Sequence, residues 1–140
     1  MSDLEAIQQL LNRYTEGCCR RDWDQVLATF AQDGIWHVAG RGTYQGRAEI
    51  EPVMAGFVGQ MDYFIQLNSP AIITIDGDRA TARSVIRECG KFTGRDEALE
   101  VFGYYNDELV RRPEGWKFAR RNFTGAGMHR FALMPGPALG

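Results

Sequence analysis

One carboxylate in this sequence is predicted to face the protein interior. Along residues 79–92 the side chains alternate between two types, as expected for a strand with one buried face. The small, apolar face comprises Ala80, Ala82, Ser84, Ile86 and, at its end, Glu88. A buried carboxylate must be paired or protonated, and either state makes it a candidate general base. A catalytic carboxylate and a structural Glu–Arg pair both remain open.

Other polar side chains offer less specific chemistry. Tyr14 lies on the apolar stripe of the first predicted helix, where a phenol either donates a hydrogen bond into a cavity or fills the core. Cys19 ends that helix without a neighbouring histidine to activate its thiol. His37 alternates with apolar neighbours and is predicted to point outward, and His129 stands alone near the C-terminus. The sequence has no metal-ligand spacing, phosphate-binding loop or nucleophile-elbow motif, so we expect no metal and no other cofactor.

Composition excludes several function classes. The 140 residues suit one domain, and 16 basic against 18 acidic side chains give a net charge of −2. Nucleic-acid binding requires more concentrated positive charge than this. No apolar run approaches the roughly 20 residues that span a bilayer, and the acidic N-terminus does not resemble a signal peptide. With 3 cysteines in no disulfide pattern, we expect a cytoplasmic protein with neither a nucleic-acid nor a membrane partner.

The N-terminal part of the chain is predicted to form three helices. A capping box at Ser2 begins the first helix, which ends near Cys19. Asp22 caps a shorter second helix, whose apolar stripe runs to Phe30. In the third helix Pro52 is expected within the first turn, because a proline further in would interrupt the hydrogen-bond ladder.

The rest of the chain is predicted to form mainly strands. Two short strands lie between the second and third helices, and beyond residue 60 the apolar period changes from 3.6 to 2. The strands are predicted at 35–39, 43–45, 63–68, 71–75, 79–92, 98–112 and 116–123, with an irregular tail from about 125. This order predicts an α+β fold, in which three N-terminal helices pack on a highly curved, mostly antiparallel sheet that encloses one pocket.

The outward face of the last two long strands is predicted to be apolar. If the alternation is unbroken, that face carries Phe102, Tyr104, Val110, Trp116 and Phe118. Large apolar side chains on an outer sheet face indicate an interface, so we expect a homo-oligomer, either a dimer or a trimer.

Four segments together resemble the SnoaL-like branch of the NTF2-like superfamily. They are RYTEGCCRRDWDQVLATFAQDGIW, GRGTYQGRAEI, TIDGDRATARSVIRECGKF and FGYYNDELVRRPEGWKFARRNF. Within this superfamily the chain looks most similar to the group of scytalone dehydratase and hexachlorocyclohexane dehydrochlorinase, and ketosteroid isomerase is a more distant relative. The resemblance implies a cone-shaped fold whose single pocket takes a small, mostly apolar molecule, without metal or cofactor.

The resemblance also implies which side chains line the pocket. These are Tyr14, Cys19, Trp36, Tyr44, Phe64, Gln66, Ile86, Glu88, Tyr105, Arg121 and Phe123. Tyr14 also falls where ketosteroid isomerase has its oxyanion-binding tyrosine.

The chain departs from the family at its catalytic positions. The dehydratases and the dehydrochlorinase use an Asp–His dyad, and here those positions match Cys19 and Gln66. The second histidine of scytalone dehydratase falls near Gly90, and the catalytic aspartate of the isomerase falls at Val38. The family's activity therefore cannot be transferred to this chain unchanged.

Two main hypotheses follow, and a third is kept beside them. The first is a cofactor-independent lyase or isomerase acting on a small cyclic, largely apolar substrate, such as an aromatic or polycyclic molecule. In it Glu88 is the general base, Tyr14 and Tyr105 donate hydrogen bonds to an oxyanion, and Arg121 keeps Glu88 ionised or pairs with a substrate acid. The second is a non-catalytic binding protein in which Glu88 and Arg121 form a structural pair. The third is an oligomeric scaffold of the same fold.

Overall fold

A curved, seven-stranded sheet with three helices on one face makes up the fold. The computed structural model describes residues 1–134. The helices are α1 (Asp3–Arg20), α2 (Trp23–Leu27) and α3 (Arg47–Val58). The strands are β1 (Phe30–Val38), β2 (Gly42–Gln45), β3 (Met61–Asn68), β4 (Ile72–Asp76), β5 (Arg79–Phe92), β6 (Glu97–Arg112) and β7 (Gly115–Ala132). The predicted α+β class is confirmed.

The sheet is mixed and remains open at its edges. Its strand order is β2-β1-β7-β6-β5-β3, and β4 pairs with the first half of β5 beside β3. The β1–β7 pair is parallel and the other pairs are antiparallel. No helix in residues 1–134 combines the length and the apolar character needed to cross a membrane.

Helix α1 begins and is fixed as its sequence predicts. The Glu5 N–H donates to Ser2 Oγ at 3.2 Å, and the Ser2 N–H donates to Glu5 Oε2 at 2.9 Å, which completes the capping box. The next residue, Asp3, accepts two hydrogen bonds of 2.7 Å from Arg111 and one of 3.1 Å from Trp116. These contacts attach the start of α1 to the turn between β6 and β7.

Two helix predictions are wrong in detail. Helix α2 ends at Leu27, and Phe30 begins β1 opposite Phe118 of β7. An apolar side chain at position 30 fits the core through either period, so helical spacing alone extended the helix too far. Pro52 is the sixth residue of a helix that begins at Arg47, outside the first turn. Helix α3 continues through the proline because its other face buries Ile50, Met54 and Val58 in the core.

Strand β5 shows the predicted alternation. Its inward residues from Ala80 to Ile86 are buried, whereas the residues between them are exposed. Glu88 follows on the inward face opposite Gln66 of β3. This strand therefore carries the carboxylate beneath the helix layer.

Two β-bulges in β7 explain where the predicted alternation fails. Glu108 pairs with Arg120 but Leu109 pairs with Phe118, so Ala119 is an extra residue. A second extra residue is Ala126. One inserted residue reverses which side chains face the core. The predicted outward orientation is consequently wrong for Trp116 and Phe118, which are buried. The predicted exposure of Val110 is also wrong, since it is buried on β6, although that strand has no inserted residue there.

The predicted irregular tail is also wrong for residues 125–132. Strand β7 continues to Ala132 because residues 127–132 pair with the first residues of β6. The side chains from Thr124 to Ala132 are exposed, so this arm forms by backbone pairing and not by burial. The predicted irregularity of residues 135–140 lies outside the described residues.

Candidate functional site

A hydrogen-bonded group on the inner face of the sheet centres on Gln66. Its Nε2 donates to Glu88 Oε1 at 2.8 Å and to the Tyr105 hydroxyl at 3.3 Å. Its Oε1 accepts from Thr15 Oγ1 of α1 at 3.2 Å. Strands β3, β5 and β6 and helix α1 therefore each contribute one side chain to a single polar network.

Burial makes Glu88 a weaker acid than an exposed glutamate. It raises the pKa of the Glu88 carboxyl to about 7, although the Gln66 hydrogen bond and the positive charge of Arg121 both lower it. At neutral pH the carboxyl is therefore close to half ionised. A carboxylate in this state can both accept and return a proton.

Arg121 lies in an aromatic cage in the core and is fully buried. Its Cζ is 3.6 Å from the ring centroid of Tyr105, 4.1 Å from that of Tyr14 and 4.6 Å from that of Phe118. Cation–π attraction on this scale stabilises a buried guanidinium that has lost its water.

Asp107 balances the charge of Arg121. The Arg121 Nε lies 3.2 Å from Asp107 Oδ1, and neither side chain has a hydrogen-bond partner among residues 1–134. Burial raises the pKa of Asp107 to about 6, against the lowering effect of Arg121. Burial alone would lower the pKa of Arg121, but Asp107 and the phenols raise it by more, so the guanidinium stays charged. The structural Glu88–Arg121 pair considered from the sequence is replaced by an Arg121–Asp107 pair.

The phenols and the buried thiol remain protonated. Burial raises the pKa of Tyr14, of Tyr105 and of Cys18 above their ordinary values, although the charge of Arg121 opposes this in each case. The two phenols are therefore hydrogen-bond donors at neutral pH, and Glu88 is the group of this network that titrates near pH 7.

Glu88 borders a narrow apolar crevice. The crevice has about 130 Å³ of empty space, none of it wide enough for a water molecule. It is lined by Phe57, Met61, Phe64, Glu88, Cys89, Gly90, Leu99 and Val101. The apolar walls must therefore move apart before the carbon skeleton of a substrate can lie beside the carboxylate.

The structure gathers part of the predicted pocket. Glu88, Gln66 and Tyr105 are linked by hydrogen bonds, and Tyr14 and Arg121 stack beside Tyr105. Phe123 packs on Tyr105 with ring centroids 5.5 Å apart, and Ile86 is buried on β5. Of the predicted residues, Glu88 and Phe64 line the crevice.

Trp36 and Tyr44 form a separate pair. Their ring centroids lie 5.5 Å apart, on β1 and β2, and neither residue borders the crevice. The Trp36 Nε1 is buried without a hydrogen-bond partner among the described residues. His37 contacts Thr43, with its Nδ1 2.7 Å from the hydroxyl.

Sequence reasoning missed Asp107. The sequence pattern could have placed it on the inner face. Asp107 lies between Tyr105 and Leu109 in the alternation of β6, and both of these are core residues. The crevice residues Met61 and Leu99 were also missed, since an apolar side chain does not reveal from sequence whether it borders space or fills it.

Cys19 and Gln66, which the sequence resemblance matches to the family's Asp–His dyad, are in contact. The backbone N–H of Gln66 donates to Cys19 Sγ at 3.2 Å. This contact involves the backbone of Gln66, whose side-chain amide instead forms hydrogen bonds with Thr15, Glu88 and Tyr105 and is not a base. Within residues 1–134, His, Cys, Asp and Glu side chains do not form any group of three or more that could hold a metal ion.

Comparison with known proteins agrees with this fold. An uncharacterised protein of Mycobacterium tuberculosis is 28% identical over 123 residues, which cover 86% of this chain and 84% of that protein. The structure of a hexachlorocyclohexane dehydrochlorinase (LinA) type 2 superposes with a TM-score of 0.85 at 19% identity, covering 96% of this chain and 94% of the other. A candidate scytalone dehydratase of Novosphingobium aromaticivorans gives a TM-score of 0.83 at 21% identity, with the same coverage of 96% and 94%.

The resemblance that the sequence suggested is confirmed. The fold is NTF2-like, as in these structural neighbours. The model of the SnoaL-like domain matches residues 1–122. The chain therefore belongs to the SnoaL-like domain family.

Proposed function

We propose that this protein is a cofactor-independent lyase or isomerase in which Glu88 is the general base. The observation that carries the proposal is the Glu88 carboxylate on the inner face of the sheet, hydrogen-bonded to Gln66 and bordering an apolar crevice. Desolvation there raises the pKa of this carboxyl to about 7, which supports the same role. The substrate in this proposal is a small, cyclic molecule with an acidic C–H bond, and it is largely apolar because the crevice walls other than Glu88 carry no charged side chain.

The reaction begins with proton transfer to Glu88. The substrate C–H bond breaks and an O–H bond forms on the carboxylate, while the electron pair stays on the substrate as an enolate or expels a leaving group. Neither Tyr14 nor Tyr105 borders the crevice. Tyr105 therefore supports the base through its hydrogen bond with Gln66, Tyr14 packs edge-on against Tyr105, and Arg121 supplies positive charge at a distance. This assigns the phenols a more distant role than the sequence suggested.

Substituting the carboxylate tests the proposal. We expect Glu88→Gln to lower turnover by about 10²-fold or more, since the amide cannot accept the proton. The assay screens cyclic ketones and β-hydroxy carbonyl compounds for deuterium exchange from D₂O and for elimination. Glu108→Gln, an exposed carboxylate on β6, is the matched control and should retain full turnover. Equal turnover of Glu88→Gln and wild type would exclude this mechanism.

A non-catalytic binding protein is the second candidate. It is favoured by one observation: a cysteine and a glutamine, Cys19 and Gln66, stand where the resemblance places the family's Asp–His dyad. In this case the same crevice holds an apolar ligand and Glu88 fixes its polar end. Ligand binding by Glu88→Gln and wild type without exchange or elimination in either would support this candidate over the enzyme.

The proposal includes assembly and location. Exposed apolar side chains on the outer sheet face, among them Leu67, Val85 and Tyr104, support a homo-oligomer, as a dimer or a trimer. They surround a depression with room for about 450 Å³. Cys18, Cys19 and Cys89 are free thiols, which suits a reducing compartment such as the cytoplasm.

A further inference from the structure

Gln66 is held at every polar atom of its side chain. The amide is 3% exposed, and its two N–H groups are directed at Glu88 and Tyr105 while its oxygen accepts from Thr15. The backbone N–H of the same residue donates to Cys19. Two side chains of α1 therefore fix one residue of β3, and that residue contacts the carboxylate.

The Thr15 hydroxyl favours one of the two orientations of the amide. If the amide were reversed, its oxygen would face the Glu88 carboxylate, and two acceptors would lie about 2.8 Å apart. In the observed orientation the hydroxyl donates to the amide oxygen, so both N–H groups are available on the opposite side. Thr15 of α1 thus sets the orientation of the Gln66 amide, and this orientation directs an N–H group at Glu88 of β5.

We propose that Gln66, oriented by Thr15, is a positioning residue for Glu88. Gln66 holds Oε1 of the Glu88 carboxylate and leaves Oε2 as the oxygen that faces the substrate. That a substrate faces Oε2 rests on the proposed function, whereas the positioning of Glu88 by Gln66 is a property of the free protein. Gln66 occupies the position of the family's histidine but does not take over its chemistry. Where the histidine would act as a base, Gln66 instead donates a hydrogen bond that orients Glu88, the proposed base on the neighbouring strand β5.

The other charged and titratable groups around Glu88 are fixed by the core. Arg121 of β7 lowers the pKa of Glu88 through its charge, and Glu88 in turn raises the pKa of Tyr105 on β6 and of Cys18 on α1. A change at Thr15 or Gln66 removes none of these groups and alters no charge among them, although Gln66→Met also removes the donor to Tyr105. A shift in the pKa of Glu88 in such a variant therefore reports the lost donor.

The test is the titration of Glu88 by carbon-13 NMR of glutamate-labelled protein. Gln66→Met removes the donors with little change in volume, and we expect it to raise the pKa of Glu88 by about 1, because a hydrogen bond to a charged group favours the charged form. Thr15→Val should raise the pKa in the same direction, and Thr15→Ser, which keeps the hydroxyl, should restore the wild-type value. Gln9→Met, at an exposed position of α1, is the matched control and should leave it unchanged.

Wild-type protein gives an independent measurement if Gln66→Met does not fold. The side-chain amide protons of Gln66 should shift with pH at the same midpoint as the Glu88 carboxyl carbon. Amide protons that do not respond, or an unchanged pKa in both Thr15→Val and Gln66→Met, would overturn the positioning role. Failure of the proposed function is distinct, because full turnover by Glu88→Gln would remove the base but would leave these titrations as expected.

Discussion

The Glu88 side chain carries a stability penalty that depends on pH. Its carboxyl titrates near 4.5 in the unfolded chain and at about 7 in the folded protein. Between these values the folded protein holds a proton that the unfolded chain has released, so the free energy of unfolding falls as the pH rises. The slope is about 1.4 kcal/mol per pH unit within the window. Asp107 adds a slope of the same sign, but only between 3.8 and about 6.

Between pH 6 and pH 7 the pH dependence of stability comes from Glu88 and no longer from Asp107. We predict that wild-type protein loses stability from pH 6 to pH 7, and that Glu88→Gln does not, because its amide does not titrate. Urea unfolding at closely spaced pH values measures this, with Glu108→Gln as the control that should retain the wild-type slope. The same slope in Glu88→Gln and wild type would show that the carboxyl is not desolvated.

Single residues show what alternation can predict. Glu88 was predicted to point inward because its neighbours on β5 are small and apolar, and the structure bears this out. The partner of Arg121 was not predicted, since Asp107 lies on another strand and the cage of rings depends on how β6, β7 and α1 meet. Sequence pattern gives the face of a side chain, whereas its partner depends on the register between strands.

At the level of elements, the bulge at Ala119 holds the two ends of β7 in opposite phases. It lets Trp116 and Phe118 face the core together with Arg121 and Phe123, which a regular strand cannot do. We predict that deletion of Ala119 destabilises the protein by about 3 kcal/mol or more, because one of these two pairs must turn to solvent.

The second bulge provides the control for this prediction. Deletion of Ala126 alters the phase of residues 127–132, all of which are exposed on either face, so it should change stability little. Urea unfolding of the two deletion variants gives the comparison. Equal stability of the two would contradict the assigned role of Ala119.

Elements were predicted well where their signals are local. The capping box of α1 and the long strand β5 follow from residues close together in sequence. The bulges of β7 and the continuation of that strand to Ala132 depend on pairing with β6, which local sequence does not show. Phe30 illustrates the same limit, because its burial fits a helix or a strand equally until its partner Phe118 is known.

At the scale of the whole molecule, the two faces of the sheet differ in what covers them. The inner surface is covered by helices, and Glu88 is partly buried there beside the narrow crevice. The outer surface is bare, and Leu67, Val85 and Tyr104 are 61%, 50% and 48% exposed. The resemblance to the SnoaL-like family was enough to predict the cone, but it gave no measure of how narrow the crevice is. That width depends on the side chains that α3, β3 and β6 bring together.

Because the outer surface is apolar at its centre, we predict that the protein is a dimer or trimer at micromolar concentration. Val85 pairs with Tyr104 across β5 and β6, so a charge at position 85 would lie in the middle of an interface on this face. Val85→Lys should therefore dissociate the oligomer, since an unpaired buried charge is strongly unfavourable. Leu4→Lys, at an exposed position on the helix layer, is the control and should not. Light scattering after size-exclusion chromatography decides between the outcomes. A monomeric wild type, or an oligomer that Val85→Lys leaves intact, would mean that this face is not the interface and that its apolar side chains remain in water.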